Sequence, residues 1–76
     1  MKTILITGSS RGIGKAVAIL AAAKGYKVIV HASTDSEQLQ ETHEEIKNSV
    51  KTFFDISDKQ AVDSAIDKLG PIDILN

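Results

Sequence analysis

Ile4-Leu5-Ile6-Thr7-Gly8-Ser9-Ser10-Arg11-Gly12-Ile13-Gly14 is the stretch that decides how this chain folds. A short apolar run ends in a turn spaced by glycines, and the turn opens an alanine-rich stretch, Ala16–Ala23. That order predicts strand, glycine loop, helix. Such a loop sets free backbone N–H groups and the positive end of a helix against a phosphate. Gly8 can take backbone angles closed to other residues where the strand turns, and Gly12 leaves no Cβ in the path of an approaching pyrophosphate. Gly14, inside the first helical turn, costs up to about 1 kcal/mol relative to alanine, which makes sense if the helix must pack closely. Ser9, Ser10 and Ile13 can offer N–H groups or hydroxyls to phosphate oxygens. Arg11 is a cation at a helix N-terminus, mildly unfavourable with the dipole until an anion binds. The other reading of Arg11 is a side chain pointing into water.

Outward from the loop, strand and helix alternate. Lys2–Thr7 reads as a strand buried on both faces. A helix runs from Gly12 to Lys24 with Ile13, Val17, Leu20 and Ala21 along one stripe, and Gly25 follows as its left-handed cap. Lys27–His31 is the second strand. Thr34-Asp35-Ser36-Glu37 matches a capping box. The helix it opens extends to about Lys47, and its thin stripe of Leu39 and Ile46 places it at an edge. Val50–Phe54 is the third strand. Ser57-Asp58-Lys59-Gln60 is a second capping box, opening a helix to Leu69 with Ala61, Val62, Ala65, Ile66 and Leu69 inward. Gly70-Pro71 stops it and Ile72–Leu75 begins a fourth strand.

The result is βαβαβαβ, an α/β chain with helical crossovers and therefore a four-stranded parallel sheet. Right-handed connections put the first two helices on one face. The expected order is 3-2-1-4, a truncated Rossmann-like three-layer fold with its switch point between strands one and four. The glycine loop lies at the carboxyl end of strand one, beside that switch.

Seventy-six residues make one domain, 1–76, too short for a second half. A chain of this size buries only about 60–65 % of its unfolded surface, so its stability is expected to be marginal. A hydrophobic content of 42 % with 25 % charged residues argues against disorder. The absence of cysteine excludes disulfides, a thiolate nucleophile and a cysteine zinc site. His31 and His43 are not paired as a metal site would need. The net charge of −1 hides an asymmetry. Residues 1–32 hold five cations (Lys2, Arg11, Lys15, Lys24, Lys27) and no acid, while residues 33–76 hold four lysines against ten acids. A basic first half suits an anionic ligand; charge merely facing water accounts for it equally well. No run reaches the roughly 18 apolar residues of a membrane span. Arg11, Lys15 and three glycines interrupt what would otherwise pass for a signal peptide, so a cytoplasmic location is expected, with no membrane and no nucleic acid as partner.

The spacing Thr7-Gly8-Ser9-Ser10-Arg11-Gly12-Ile13-Gly14 is G-x-x-x-G-x-G, neither the common G-x-G-x-x-G nor a P-loop. It resembles the cofactor loop Thr-Gly-x-x-x-Gly-x-Gly of the short-chain dehydrogenase/reductase family. Further matches follow in order: Gly25-Tyr26-Lys27-Val28-Ile29-Val30, the Asp55-Ile56 pair, and Gly70-Pro71-Ile72-Asp73-Ile74-Leu75 leading to Asn76. More loosely, the chain is similar to the N-terminal third of the 3-oxoacyl-acyl-carrier-protein reductases of that family. The resemblance implies that Asp55 contacts the adenine amino group and that Ile56 offers its backbone beside it. Asp55 can equally be a loop residue ahead of a helix cap. In NAD-preferring members an acid closes strand two and binds the ribose hydroxyls. Here that place reads His31-Ala32-Ser33-Thr34, with no acid until Asp35. A 2′-phosphate would meet no repulsion and could use Ser33, Thr34 and Arg11 as donors, with His31 more readily a packed or solvated histidine. NADP is therefore expected over NAD.

The family's chemistry resembles acid–base hydride transfer by a tyrosine with a lysine four residues later. The single tyrosine here, Tyr26, is followed four places on by Val30, and its position between helix cap and strand suits packing. The family's Asn-Asn-Ala-Gly segment is also absent. Its first asparagine corresponds to Asn76, without the valine usual between leucine and asparagine. No catalytic residue is assigned, and the chain alone is expected to bind a dinucleotide without reducing a ketone. The alternative is a stand-alone remnant or an interaction module with no enzymatic role. An open edge on strand four and a sparsely covered sheet face are expected to drive self-association.

Overall fold

The computed structural model describes all residues, Met1–Asn76. The elements run β1 (Thr3–Ile6), α1 (Gly12–Ala23), β2 (Lys27–Ala32), α2 (Glu37–Glu45), β3 (Val50–Phe53), α3 (Lys59–Leu69) and β4 (Ile74–Leu75). All strands are parallel and their order is β3-β2-β1-β4, as the alternation predicts. β1 pairs with β2 from Thr3 opposite Lys27 to Ile6 opposite Val30, and with β4 at Ile4–Ile74 and Leu5–Leu75.

The pleat sorts the strand residues into two layers. Ile4, Ile6, Val28, Val30 and Ala32 face α1 and α2, where they meet Ala18, Ala21, Leu39 and Ile46 in the larger core. Leu5, Ile29 and Phe54 face the other way, against Ala61, Val62, Ala65 and Leu69 of α3 together with Ile72. The two crossovers that carry α1 and α2 share one face, which is what right-handed connections dictate.

Four local expectations are corrected. In α1 the buried residues are Ala18 and Ala21, whereas Ile13 is 85 % exposed and Leu20 58 % exposed. Small side chains on the sheet-facing side let the helix axis approach the strands, and the larger residues are turned outward. α2 is capped by Ser36, whose hydroxyl accepts from the Leu39 amide at 3.2 Å, so the capping box at Thr34 does not form. Residues 33–35 are spent leaving the sheet before helical angles begin, which keeps Thr34 exposed. α3 is capped by Asp58 rather than Ser57. The Asp58 carboxylate accepts from the amides of Gln60 (3.1 Å) and Ala61 (3.3 Å).

β4 is the fourth correction, being two residues long rather than four. Gly70, at φ +81°, and Pro71 turn the chain. The ladder is joined only at Asp73, whose amide donates to the Thr3 carbonyl at 2.9 Å. The Asp73 carboxylate accepts from the Thr3 amide at 2.8 Å. Asn76 continues the pairing: its amide donates to the Leu5 carbonyl (2.9 Å), and its carbonyl accepts from the Thr7 amide (2.7 Å).

Candidate dinucleotide site

The loop after β1 leaves the sheet through Gly8 at φ +65° and re-enters regular structure at Gly12, at φ +64°. These left-handed angles disfavour side chains. A Cβ at either position would meet nothing within 4 Å, so the space above both peptides is open. Gly14 has a different requirement. A Cβ there would collide with the Gly8 carbonyl oxygen and lie 3.0 Å from the Ser9 Cα. The close approach is therefore between the first turn of α1 and the loop itself, which folds back over the helix start.

The N-terminus of α1 carries no side-chain cap. Arg11 occupies the N-cap position with extended backbone (φ −162°, ψ 170°); its carbonyl accepts from the Lys15 amide at 3.4 Å, its side chain caps nothing, and the first turn holds no acid. The first amides of α1 are left for an external acceptor, as in helix termini that bind anions. Ser10 and Arg11 line a pocket of about 570 Å³ with Gly8, Ser33, Thr34 and Ile56. Thr7, His31, Ala32, Ser36 and Gln38 complete its wall. Six of the eleven expected site residues thus share one pocket. Gly12 and Ile13 stand exposed beside Arg11 at the helix start, and Gly14 lies beneath the loop.

Ser9 is fully buried. Its amide donates to the His31 carbonyl (2.9 Å) and its hydroxyl accepts from the His31 amide (2.7 Å), so it ties the loop to β2. Asp55 lies outside the pocket lining, exposed beyond the end of β3. Its carboxylate accepts from the Ser57 hydroxyl (2.7 Å) and amide (2.9 Å). Those two bonds, the hydroxyl's first, hold its carboxyl below the ordinary carboxylate value.

The first acid after β2, Asp35, is turned away from the pocket and pairs with Lys51 of β3 at 3.3 Å. The rim at the end of β2 is left with the exposed residues Ser33 and Thr34.

Two residues that hold the loop were not assigned from sequence. The buried Thr42 hydroxyl reaches from α2 to the Ser10 carbonyl (2.9 Å), while also lying 3.0 Å from the Gln38 carbonyl. The signal for it was its place three residues after Leu39 on the narrow inward stripe of α2. The His31 ring is the other. Its Nδ1 lies 3.0 Å from the Gly8 amide and its Nε2 2.9 Å from the Phe54 carbonyl. The signal there was a histidine closing an otherwise apolar strand. His43 sits elsewhere, its Nδ1 2.8 Å from the Ser49 hydroxyl at the end of α2.

A parallel sheet in this order, with an uncapped helix N-terminus at the carboxyl end of its first strand, defines a dinucleotide-binding fold. The model of the short chain dehydrogenase family matches residues 2–76. The chain belongs to that family, whose members bind a nicotinamide dinucleotide. It is 37 % identical to mouse hydroxysteroid dehydrogenase-like protein 2, over 96 % of this chain and 18 % of the relative. It is 39 % identical to the 3-oxoacyl-acyl-carrier-protein reductase of Aggregatibacter actinomycetemcomitans, over 90 % of this chain and 28 % of the relative. Among solved structures, a short chain dehydrogenase from Bacillus anthracis superposes with a TM-score of 0.88 at 30 % identity. That superposition covers 97 % of this chain and 34 % of the other. The chain spans less than a third of the length of either curated relative.

Proposed function

We propose that this chain is the cofactor-binding part of an NADPH-dependent ketone reductase of the 3-oxoacyl type. The observation that carries the reading is the pocket wall at the end of β2. Ser33 and Thr34 line it, Arg11 faces them from the helix start, and the nearest acid, Asp35, is held by Lys51. A 2′-phosphate finds donors there and no opposing carboxylate, whereas an NAD ribose lacks the acid that would hold its hydroxyls. Gly8, Ser10, Gly12, Ile13 and Gly14 would surround the pyrophosphate, with Ser9 fixing the loop from below. Asp55 and Ile56 would flank the adenine.

When bound, the cofactor supplies a hydride donor; these 76 residues supply its binding and orientation. The sequence contains no Tyr-x-x-x-Lys, so we assign the chain alone no ketone reduction. A cytoplasmic location is part of this proposal, on the ground that Arg11, Lys15 and three glycines interrupt what would otherwise pass for a signal peptide; no helix is long and apolar enough to cross a membrane.

The test is a titration with NADPH and then NADH, followed through backbone amide shifts in two-dimensional NMR. Shifts are expected at Ser10–Gly14, Ser33–Thr34 and Asp55–Ile56, larger for NADPH. No shift at millimolar ligand overturns the reading, and equal shifts for the two cofactors overturn the phosphate preference.

The outer edge of β4 has no strand partner, and Leu75 there is 62 % exposed. We read this edge as a self-association surface. Sedimentation should show a dimer or larger species, and a clean monomer at high concentration counts against it.

A further inference from the structure

We propose that His31 is a positioning residue of the nucleotide loop, holding the Gly8 peptide through a neutral imidazole whose Nδ1 accepts the Gly8 N–H. The proposal rests on the dinucleotide reading for its function, but not for its geometry. The Gly8 amide can only donate, and it lies 3.0 Å from Nδ1, so that nitrogen must present its lone pair. The Phe54 carbonyl can only accept, and it lies 2.9 Å from Nε2, so that nitrogen must carry the proton. Both ends of the ring demand the same tautomer. The side chain has no room to turn away: the residue is 3 % exposed, and its ring centroid lies 4.3 Å from that of Phe54.

The backbone of the same residue holds Ser9 by the two bonds described above, so one residue fastens two consecutive loop peptides. The loop's own backbone gives the Gly8 amide no other acceptor. Removing the imidazole acceptor therefore frees the peptide at which β1 turns, and against whose carbonyl Gly14 is packed. The first turn of α1 would lose its fixed relation to the pocket while sheet and helices persist.

Charge matters because a protonated ring would point N–H at N–H. The charged group sharing the pocket with His31 is Arg11, from the loop. Asp55, adjoining Phe54, is engaged with Ser57. On its own face of the sheet α3 presents Ala61, Val62, Ala65 and Leu69, and α2 adds only Ser36 and Gln38 to the pocket wall. No carboxylate is placed to compensate an imidazolium.

The experiment compares the full chain with His31→Asn and His31→Gln. Asparagine can place an oxygen where Nδ1 accepts; glutamine can place its amide N–H where Nε2 donates. Amide hydrogen exchange without ligand should show Gly8 protected in the wild type and His31→Asn, and fast in His31→Gln. The Ser9 amide, bound to the residue 31 backbone, should stay protected in all three and so reports that the fold is intact. NADPH affinity should fall about tenfold in His31→Gln, about 1.4 kcal/mol, and change less than about threefold in His31→Asn. Equal Gly8 exchange in the two variants, or an NADPH affinity unchanged in His31→Gln, overturns the proposal. A wild type that binds no NADPH at any pH overturns the dinucleotide reading instead, and the exchange data then decide the role of His31 alone.

Discussion

The two faces of the sheet are built to different densities. Toward α1 and α2, nine buried residues from two strands, two helices and the C-cap of α2 interlock, and Ala18, Val30 and Leu39 have no exposure at all. Toward α3 only Leu5, Ile29 and Phe54 are buried, and every residue of α3 itself keeps some exposure. The nucleotide loop springs from β1 and is strapped to β2 and α2 by Ser9, His31 and Thr42. The loop is thus held from both sides, by Thr42 from the denser face and by the His31 ring from the α3 face, where Ile29 and Phe54 also lie. α3 therefore bears on the loop through Phe54 and the His31 ring, while the denser face bears on it through α2.

The largest expected effect separates the faces directly. Leu39→Ala removes a fully buried side chain from the larger core and should cost about 2–5 kcal/mol, enough to unfold much of a marginal domain. Leu69→Ala, at the half-buried end of α3, should cost about 1 kcal/mol, since part of that side chain already meets water. Urea denaturation of both variants checks this, and equal losses would mean that the two faces are equally tight.

A smaller effect sharpens the comparison at two glycines. Gly14→Ala improves helix propensity by up to about 1 kcal/mol, but the new methyl collides with the backbone of the loop, a misfit worth about 1–3 kcal/mol. The collision should win, leaving a net loss of stability. Gly70→Ala, after α3, meets open space but sits at φ +81°, ψ −157°, a region essentially confined to glycine, at a cost of about 1–3 kcal/mol. A stabilised Gly14→Ala would show that the loop yields and is not held against α1.

Much of this was legible in the residues. Alternating short apolar runs with amphipathic stretches and Gly-Pro or glycine stops pointed to a parallel βαβ sheet, the strand order followed from the doubly wound arrangement, and handedness put α1 and α2 on one face. The loop motif located the glycine turn and the start of α1. Cap positions were misread by one or two residues, because Thr34, Ser36, Ser57 and Asp58 can all cap and only the path of the chain out of the sheet selects among them. The α1 stripe was misread because eight apolar residues from Ala16 to Ala23 leave the periodicity nearly featureless, so approach distance decided in favour of alanine. Ser9 was legible as a loop residue but not as a buried one, since its partner lies 22 positions away.

By itself the sequence determined the element order, the glycines that the turn requires and the absence of an acid where β2 ends. These are local properties of backbone angle, periodicity and charge. The tertiary structure decided which hydroxyls face the pocket, that Asp35 leans to Lys51, and that His31 carries its proton on Nε2. Those outcomes depend on which donors and acceptors come within about 3 Å across the sheet, and hydrogen bonding of that reach is set by packing rather than by neighbours along the chain.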